Sequence, residues 1–172
     1  LLEVEDARLH FLEEPMKTDD LEGYKMLRNK TTTHLACGEN LFTKYDFRRW
    51  IVEGAVDILQ PDVCSAGGIT ECKKIAAMAQ AYAARVIPHV WGTGIGLAAA
   101  LQLIAALPSN QLSSFAEEPM LEFDRSAHPF RDAVIHDKIT MEDGAVKVPM
   151  GPGIGVEVNE DAVREFELRL KQ

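Results

Sequence analysis

The sequence predicts an α/β fold in which short parallel strands alternate with helices. Three observations predict it. Five short apolar runs recur along the chain, and the first four are each followed by a stretch with helical periodicity. The runs are spaced by about the length of one strand–helix unit. At 172 residues, with 47% hydrophobic and 26% charged, the chain has the apolar content for a substantial core. Strands joined through helices lie parallel, with right-handed crossovers.

The elements follow in order. Residues 9–14 (LHFLEE) form the first run, closed by Pro15. Asp19 and Glu22 offer a helix start ahead of an apolar stripe of Leu21, Tyr24 and Leu27. Residues 34–39 (HLACGE) form the second run, and Thr43 is expected to cap a helix through Phe47, Trp50 and Ile51. The third run, 56–62 (VDILQPD), ends before Gly67 and Gly68; a helix over 70–83 follows, with Ile75, Met78 and Tyr82 expected in the core. The fourth run, 85–90 (RVIPHV), leads through WGTGIG into an alanine-rich helix over 97–107. A fifth run, 120–123, follows a loop. In ITMEDGAVKV, Asp143–Gly144 between two β-rich arms signals a hairpin. Then comes a Gly/Pro turn, and Asn159 is expected to cap a last helix carrying Val163, Phe166 and Leu170.

Composition narrows the partners. Lys plus Arg is 18 and Asp plus Glu is 27, so the formal charge is 18 − 27 = −9. That field repels phosphate backbones, so no nucleic acid is expected. No membrane is expected either, since the most apolar stretch, residues 92–107, stops at Pro108 and reads as a buried helix. Cys37, Cys64 and Cys72 show no CxxC or zinc spacing, and reduced, buried thiols in a cytoplasmic protein are the expectation. LLEVEDARLH reads as the tail of a helix already under way, so residues 1–172 are expected to be the later part of a longer chain.

Each apolar run ends in an ionisable residue: Glu13 or Glu14, Glu39, Asp62, His89 and Glu122. Glu13 to Glu39 is 26 residues, Glu39 to Asp62 is 23, and Asp62 to His89 is 27, one unit each. In a parallel array these side chains arrive at one edge. Ligands bind there in an open α/β sheet, and a closed (β/α)₈ barrel places its active site there. Adjacent strands lie about 4.8 Å apart, so neighbouring groups interact directly. Carboxylates crowded at one mouth repel one another, and a divalent cation relieves that. Two acids on adjacent strands suit Mg²⁺, which takes oxygen ligands at about 2.0–2.1 Å. Asp62 and His89 can pair across strands, the carboxylate fixing the tautomer of a general acid or base. The glycines of WGTGIG are spaced GxGxG, not GxGxxG, which disfavours a dinucleotide. They are expected instead to let the backbone approach a ligand. Trp91 is placed either walling the site or in the core, and the Asn40 amide near the metal. His10 and His34 lie near strand starts, the wrong end for chemistry, while His128 and His136 are expected on loops or the surface.

In order, FLEEP, CGEN, LQPD with GGIT, PHVWGTGIG and the late GPGIGVEV resemble the mandelate-racemase-like subgroup of the enolase superfamily, over essentially all 172 residues. The resemblance implies a (β/α)₈-type barrel binding Mg²⁺ through one acid on each of three successive strands. Glu13 and Glu39 match the second and third ligands, and the first would precede Leu1. It implies a catalytic dyad of Asp62 and His89, and Glu122 in MLEFD as the eighth-strand Glu that hydrogen-bonds an enediolate. Residues 1–135 would be the later βα units of the barrel. Residues 136–172 would supply the hairpin, Gly/Pro turn and helix packing back on an N-terminal capping domain outside this chain. The implied reaction is Mg²⁺-dependent removal of a proton α to a carboxylate. Dehydration of a sugar acid to a 2-keto-3-deoxy acid is the first expectation, racemisation or epimerisation of a 2-hydroxy acid the second, and a non-catalytic binding protein the alternative of another class. Relatives with a Lys base on the sixth strand, such as cycloisomerases, would place it near Asp62. No Lys lies between Glu53 and Lys73, which argues against those branches. The expected partner is a small-molecule carboxylate, and a homo-oligomer is expected.

Overall fold

The computed structural model describes residues 6–109, 114–115 and 118–167. Four strands, β1 (Leu12–Glu13), β2 (Leu35–Cys37), β3 (Ile58–Leu59) and β4 (Arg85–Val86), form one parallel sheet whose spatial order is the chain order. The strands are short, but the ladder runs on past them. Glu14 N–H donates to Ala36 O, Gln60 N–H to Cys37 O and Ile87 N–H to Leu59 O, at 2.9 to 3.1 Å. Helices α1 (Leu21–Arg28), α2 (Thr43–Val52) and α3 (Gly68–Ala81) connect successive strands, and α4 (Gly94–Ala105) follows β4.

Period-two alternation splits each strand between two cores. Leu35, Cys37, Leu59 and Val86 face the helices and pack with Tyr24, Phe47, Trp50 and Ile75. Ala36, Ile58 and Ile87 face the other way and pack with Phe11. Burial of β2 and β3 on both faces explains why the central runs do not alternate. Tyr24 fixes α1: it is fully buried, meets Trp50 edge-on at 4.9 Å, and donates its hydroxyl hydrogen to Met16 O.

Several local expectations shift. Helix α1 is capped by Asp20, which accepts the Gly23 N–H at 2.9 Å. Thr43 does not cap α2. Its own N–H is tied to Ala66 O, which draws Thr43 into the first turn, and Phe42 takes the cap position with its N–H donated to Asp46. Tyr82 is 57% exposed rather than core. Helix α3 ends at Ala81 and the Tyr82 N–H bends back to Ala79 O, so the 3.6-residue projection no longer applies there. Cys37 and Cys72 are buried, but Cys64 is exposed, because the third run has already turned into a loop. Residues 120–123 form no strand.

Beyond the sheet, a short helix α5 (Pro129–Ala133) precedes the antiparallel hairpin β5 (Met141–Glu142) and β6 (Ala145–Val146), which turns at Asp143–Gly144. Asn159 caps α6 (Glu160–Glu165) by accepting the Ala162 N–H; Leu170 lies outside the described residues. The Gln102 amide donates to Pro149 O and Ile154 O, fastening the Gly/Pro turn to α4. No helix among the described residues is long and apolar enough to cross a membrane.

Glu71 clamps α3 to α2. It accepts the Lys44 backbone N–H, the Lys74 ammonium and the Lys44 ammonium, which together hold its carboxyl at about 2. A depressed carboxyl stabilises the fold fully above its unfolded value near 4.5, and that stabilisation is lost as pH falls toward 2. Glu71→Gln is therefore expected to lower the melting temperature at pH 7, with the gap to wild type closing between pH 4.5 and 2. Thermal melts across that range check it.

Candidate active site at the strand ends

The polar mouth is built where the strands run out. Glu13 ends β1, in register with Ala36 and two residues after Phe11, so it lies on the inner face of the sheet. After β2, Gly38 (φ +145°) turns the chain into Glu39. A Cβ at Gly38 would lie 2.8 Å from Gln60 N, so only glycine lets the two strand ends pass so closely. Beyond β3, Gln60 and Pro61 are buried and deliver Asp62; beyond β4, Ile87 and Pro88 deliver His89. The prolines donate no N–H, which suits positions where strand pairing stops.

The side chains meet around the His89 imidazole. Its Nδ1 lies 2.7 Å from Asp62 Oδ2 and its Nε2 lies 3.2 Å from Glu39 Oε2. Asp62 Oδ1 accepts the Cys64 N–H at 2.6 Å, which fixes the carboxylate. Glu122 enters from the loop that replaces the expected fifth strand, and its Oε2 accepts the Val90 N–H at 2.8 Å. The side chains of Asp62 and His89 are only 12% and 17% exposed, so their interaction is shielded from water. Asn40 reaches Glu14 Oε2 at 3.4 Å and Glu39 Oε1 at 3.3 Å.

Electrostatics follow from this packing. The hydrogen bond to Asp62 raises the His89 ring above its ordinary value; burial opposes this, while Glu122 and Glu39 add to it. Burial pushes the Asp62 carboxyl up, but the bonds from His89 and the Cys64 N–H outweigh it and hold the group low. Burial raises Glu122; the Val90 N–H and His89 pull it back, while the charges of Glu13 and Glu39 push it further up. Glu122 therefore feels Glu13, Glu39 and His89 together. The result is two carboxyls with opposed environments: one ionised and orienting the imidazole, one biased toward holding a proton.

Glu13 and Glu39, hard oxygen donors on adjacent strands, are the residues that could hold a dication. Among the described residues, no group of three or more His, Cys, Asp or Glu is gathered tightly enough to hold an ion. Glu13 and Glu39 would together offer such an ion two carboxylates. That suits an ion such as Mg²⁺, which is bound through one or two carboxylates and keeps several waters. The charges of Glu13 and Glu39, which push Glu122 up, are what such an ion would offset.

The structure gathers Glu13, Glu39, Asp62, His89 and Glu122 at one end of the sheet. It leaves other candidates elsewhere. Trp91 is 61% exposed, edge-on to His128, so it is not core. His128 caps α5 by accepting the Arg131 N–H. Gly94 and Gly96 do not open the backbone to a ligand. They are buried where a Cβ would strike Arg131 O at 2.9 Å and Cys64 Sγ at 2.9 Å, so close packing of α4 explains them. The sequence reading missed Gln60, whose Oε1 is buried with no partner among the described residues, although a Gln in an otherwise apolar run was a visible signal. It also missed the backbone N–H groups of Cys64 and Val90, for which no side-chain signal exists.

Comparison with known proteins gives the following likenesses. The family described as "Enolase C-terminal domain-like" matches residues 1–162. D-galactarolactone cycloisomerase of Agrobacterium fabrum is 41% identical over 160 residues, which are 93% of this chain and 42% of that protein. D-galactonate dehydratase of Variovorax paradoxus is 37% identical over 161 residues, 93% of this chain and 41% of that protein. The crystal structure of the 3,6-anhydro-D-galactonate cycloisomerase from Zobellia galactanivorans superposes with a TM-score of 0.85 at 41% identity, covering 96% of this chain and 44% of that one. The chain thus spans less than half the length of each.

Proposed function

The chain belongs to the enolase C-terminal domain-like family, and on that premise we propose that it is the catalytic strand-end portion of a Mg²⁺-dependent enzyme that removes the proton α to a carboxylate, dehydrating a sugar acid. The observation that carries this reading is the Asp62–His89–Glu39 contact chain across three neighbouring strands, with Glu122 set beside it.

Glu13 and Glu39 would hold the cation. When bound, it would neutralise the substrate carboxylate and favour the charge that develops on its oxygens. The remaining work falls to this chain's side chains. Asp62 holds Nδ1 of His89, so Nε2, once released from its 3.2 Å contact with Glu39 Oε2, is the nitrogen that takes the α-proton. Glu122, biased toward its protonated form by burial, donates a hydrogen bond to an oxygen of the developing enediolate. The β-hydroxyl then leaves as water, accepting a proton from His89, and the resulting enol becomes a 2-keto-3-deoxy acid.

Two of the similar proteins are named cycloisomerases at 41% identity. Those names favour a second reading, with His89 rather than a Lys as the base. The same α-proton is removed, but a ring oxygen leaves in place of a hydroxyl. Reprotonation of the enediolate on the opposite face would instead racemise the substrate.

Screening the protein with Mg²⁺ against aldonic and aldaric acids, their lactones and anhydro-acids, with detection of 2-keto acid, separates these. An open-chain acid converted with loss of water supports dehydration. A ring-opened isomer of unchanged mass supports the cycloisomerase reading. No α-proton exchange with any of them contradicts both.

A further inference from the structure

Glu14 is a carboxylate that stability alone does not explain. It follows β1 with a left-handed backbone (φ +37°), which a side chain other than glycine adopts only under strain. Its side chain is half-buried, yet Oε1 is buried with no hydrogen-bond partner among the described residues. An apolar residue would avoid the desolvation. What the carboxylate does contact is specific. Its Oε2 faces Asn40 Nδ2, on the neighbouring strand end, at 3.4 Å. The same Asn40 nitrogen lies 3.3 Å from Glu39 Oε1. An amide between two carboxylates must present its nitrogen to both, since its oxygen would be repelled. Both contacts lie at the long edge of hydrogen-bond distance.

We infer that Glu14 and Asn40 are positioning residues: Glu14 anchors the Asn40 amide, and Asn40 holds Glu39 Oε1, fixing the carboxylate that would serve as the metal ligand, with Oε2 turned toward His89. This rests on Glu39 being a metal ligand. It adds a device that fixes the rotamer of that ligand from the adjacent strand, in the way outer-shell groups orient ligating side chains.

The test is Mg²⁺ affinity by calorimetry on wild type, Asn40→Ala, Glu14→Ala and Glu14→Gln, with melting temperatures taken in EDTA. Asn40→Ala and Glu14→Ala should each weaken Mg²⁺ by about 10–100-fold. Glu14→Gln keeps an acceptor oxygen for Asn40 and should restore affinity to near wild type. Asn40 is exposed, so its variant should melt in EDTA as wild type does, which a merely structural role would not combine with lost affinity. Unchanged affinity in Asn40→Ala overturns the positioning role while leaving Glu39 as a ligand. A Glu14→Gln variant as weak as Glu14→Ala also overturns it, because charge rather than orientation would then be at work. If wild type itself binds no Mg²⁺, the metal reading fails and takes this inference with it.

Discussion

His89→Asn is expected to lower turnover by about a hundred- to ten-thousand-fold, the range contributed by a positioned general acid or base. It should also stop exchange of the substrate α-proton with D₂O. Asparagine keeps an amide N–H that can still donate to Asp62 Oδ2, so the carboxylate held by Cys64 N–H need not be stranded. It removes the imidazole that is proposed as the base. The imidazole is buried between Asp62 and Glu39, and both of its nitrogens are engaged. A variant that folds and binds Mg²⁺ but exchanges the α-proton at the wild-type rate would show that another residue is the base.

Glu39→Gln is expected to lose Mg²⁺ affinity by at least about a hundred-fold, since even outer-shell changes cost 10–100-fold, and to lose activity in parallel. Glutamine is nearly isosteric and can still meet His89 and Asn40, so packing survives while one negative charge is removed. The same change lessens the repulsion on Glu122, whose carboxyl is raised in part by Glu39. A double effect on metal and rate, with an unchanged melting temperature in EDTA, is the signature. Metal titration indistinguishable from wild type would remove Glu39 from the ligand set.

The four-stranded parallel sheet was legible because its central strands β2 and β3 are buried throughout, so their runs are apolar and easily bounded. The residues gathered at the mouth were legible for a related reason. An ionisable side chain at the end of an apolar run cannot stay within the core, and parallel strands carry all such ends to the same side. What was not legible depended on contacts between distant segments. Thr43 is drawn into α2 by Ala66, and Tyr82 is released to solvent because its helix ends one residue earlier. Gly94 and Gly96 answer to Arg131 and Cys64, thirty or more residues away, rather than to a ligand. Glu122 was readable as a residue, but not as one held by the Val90 N–H, because a backbone donor leaves no mark in the sequence. The fifth run had the composition of a strand, yet Glu122 is placed by the packing of Leu121 and Phe123 on the core and by the Val90 N–H.

The most direct test is a crystal of the protein grown with Mn²⁺ in place of Mg²⁺, with anomalous scattering used to locate the ion. The expected result is one peak at the strand ends, with oxygens of both Glu13 and Glu39 in its coordination sphere and His89 facing the same space. A peak elsewhere, or one that touches neither carboxylate, would contradict the convergence of these strands on a single dication.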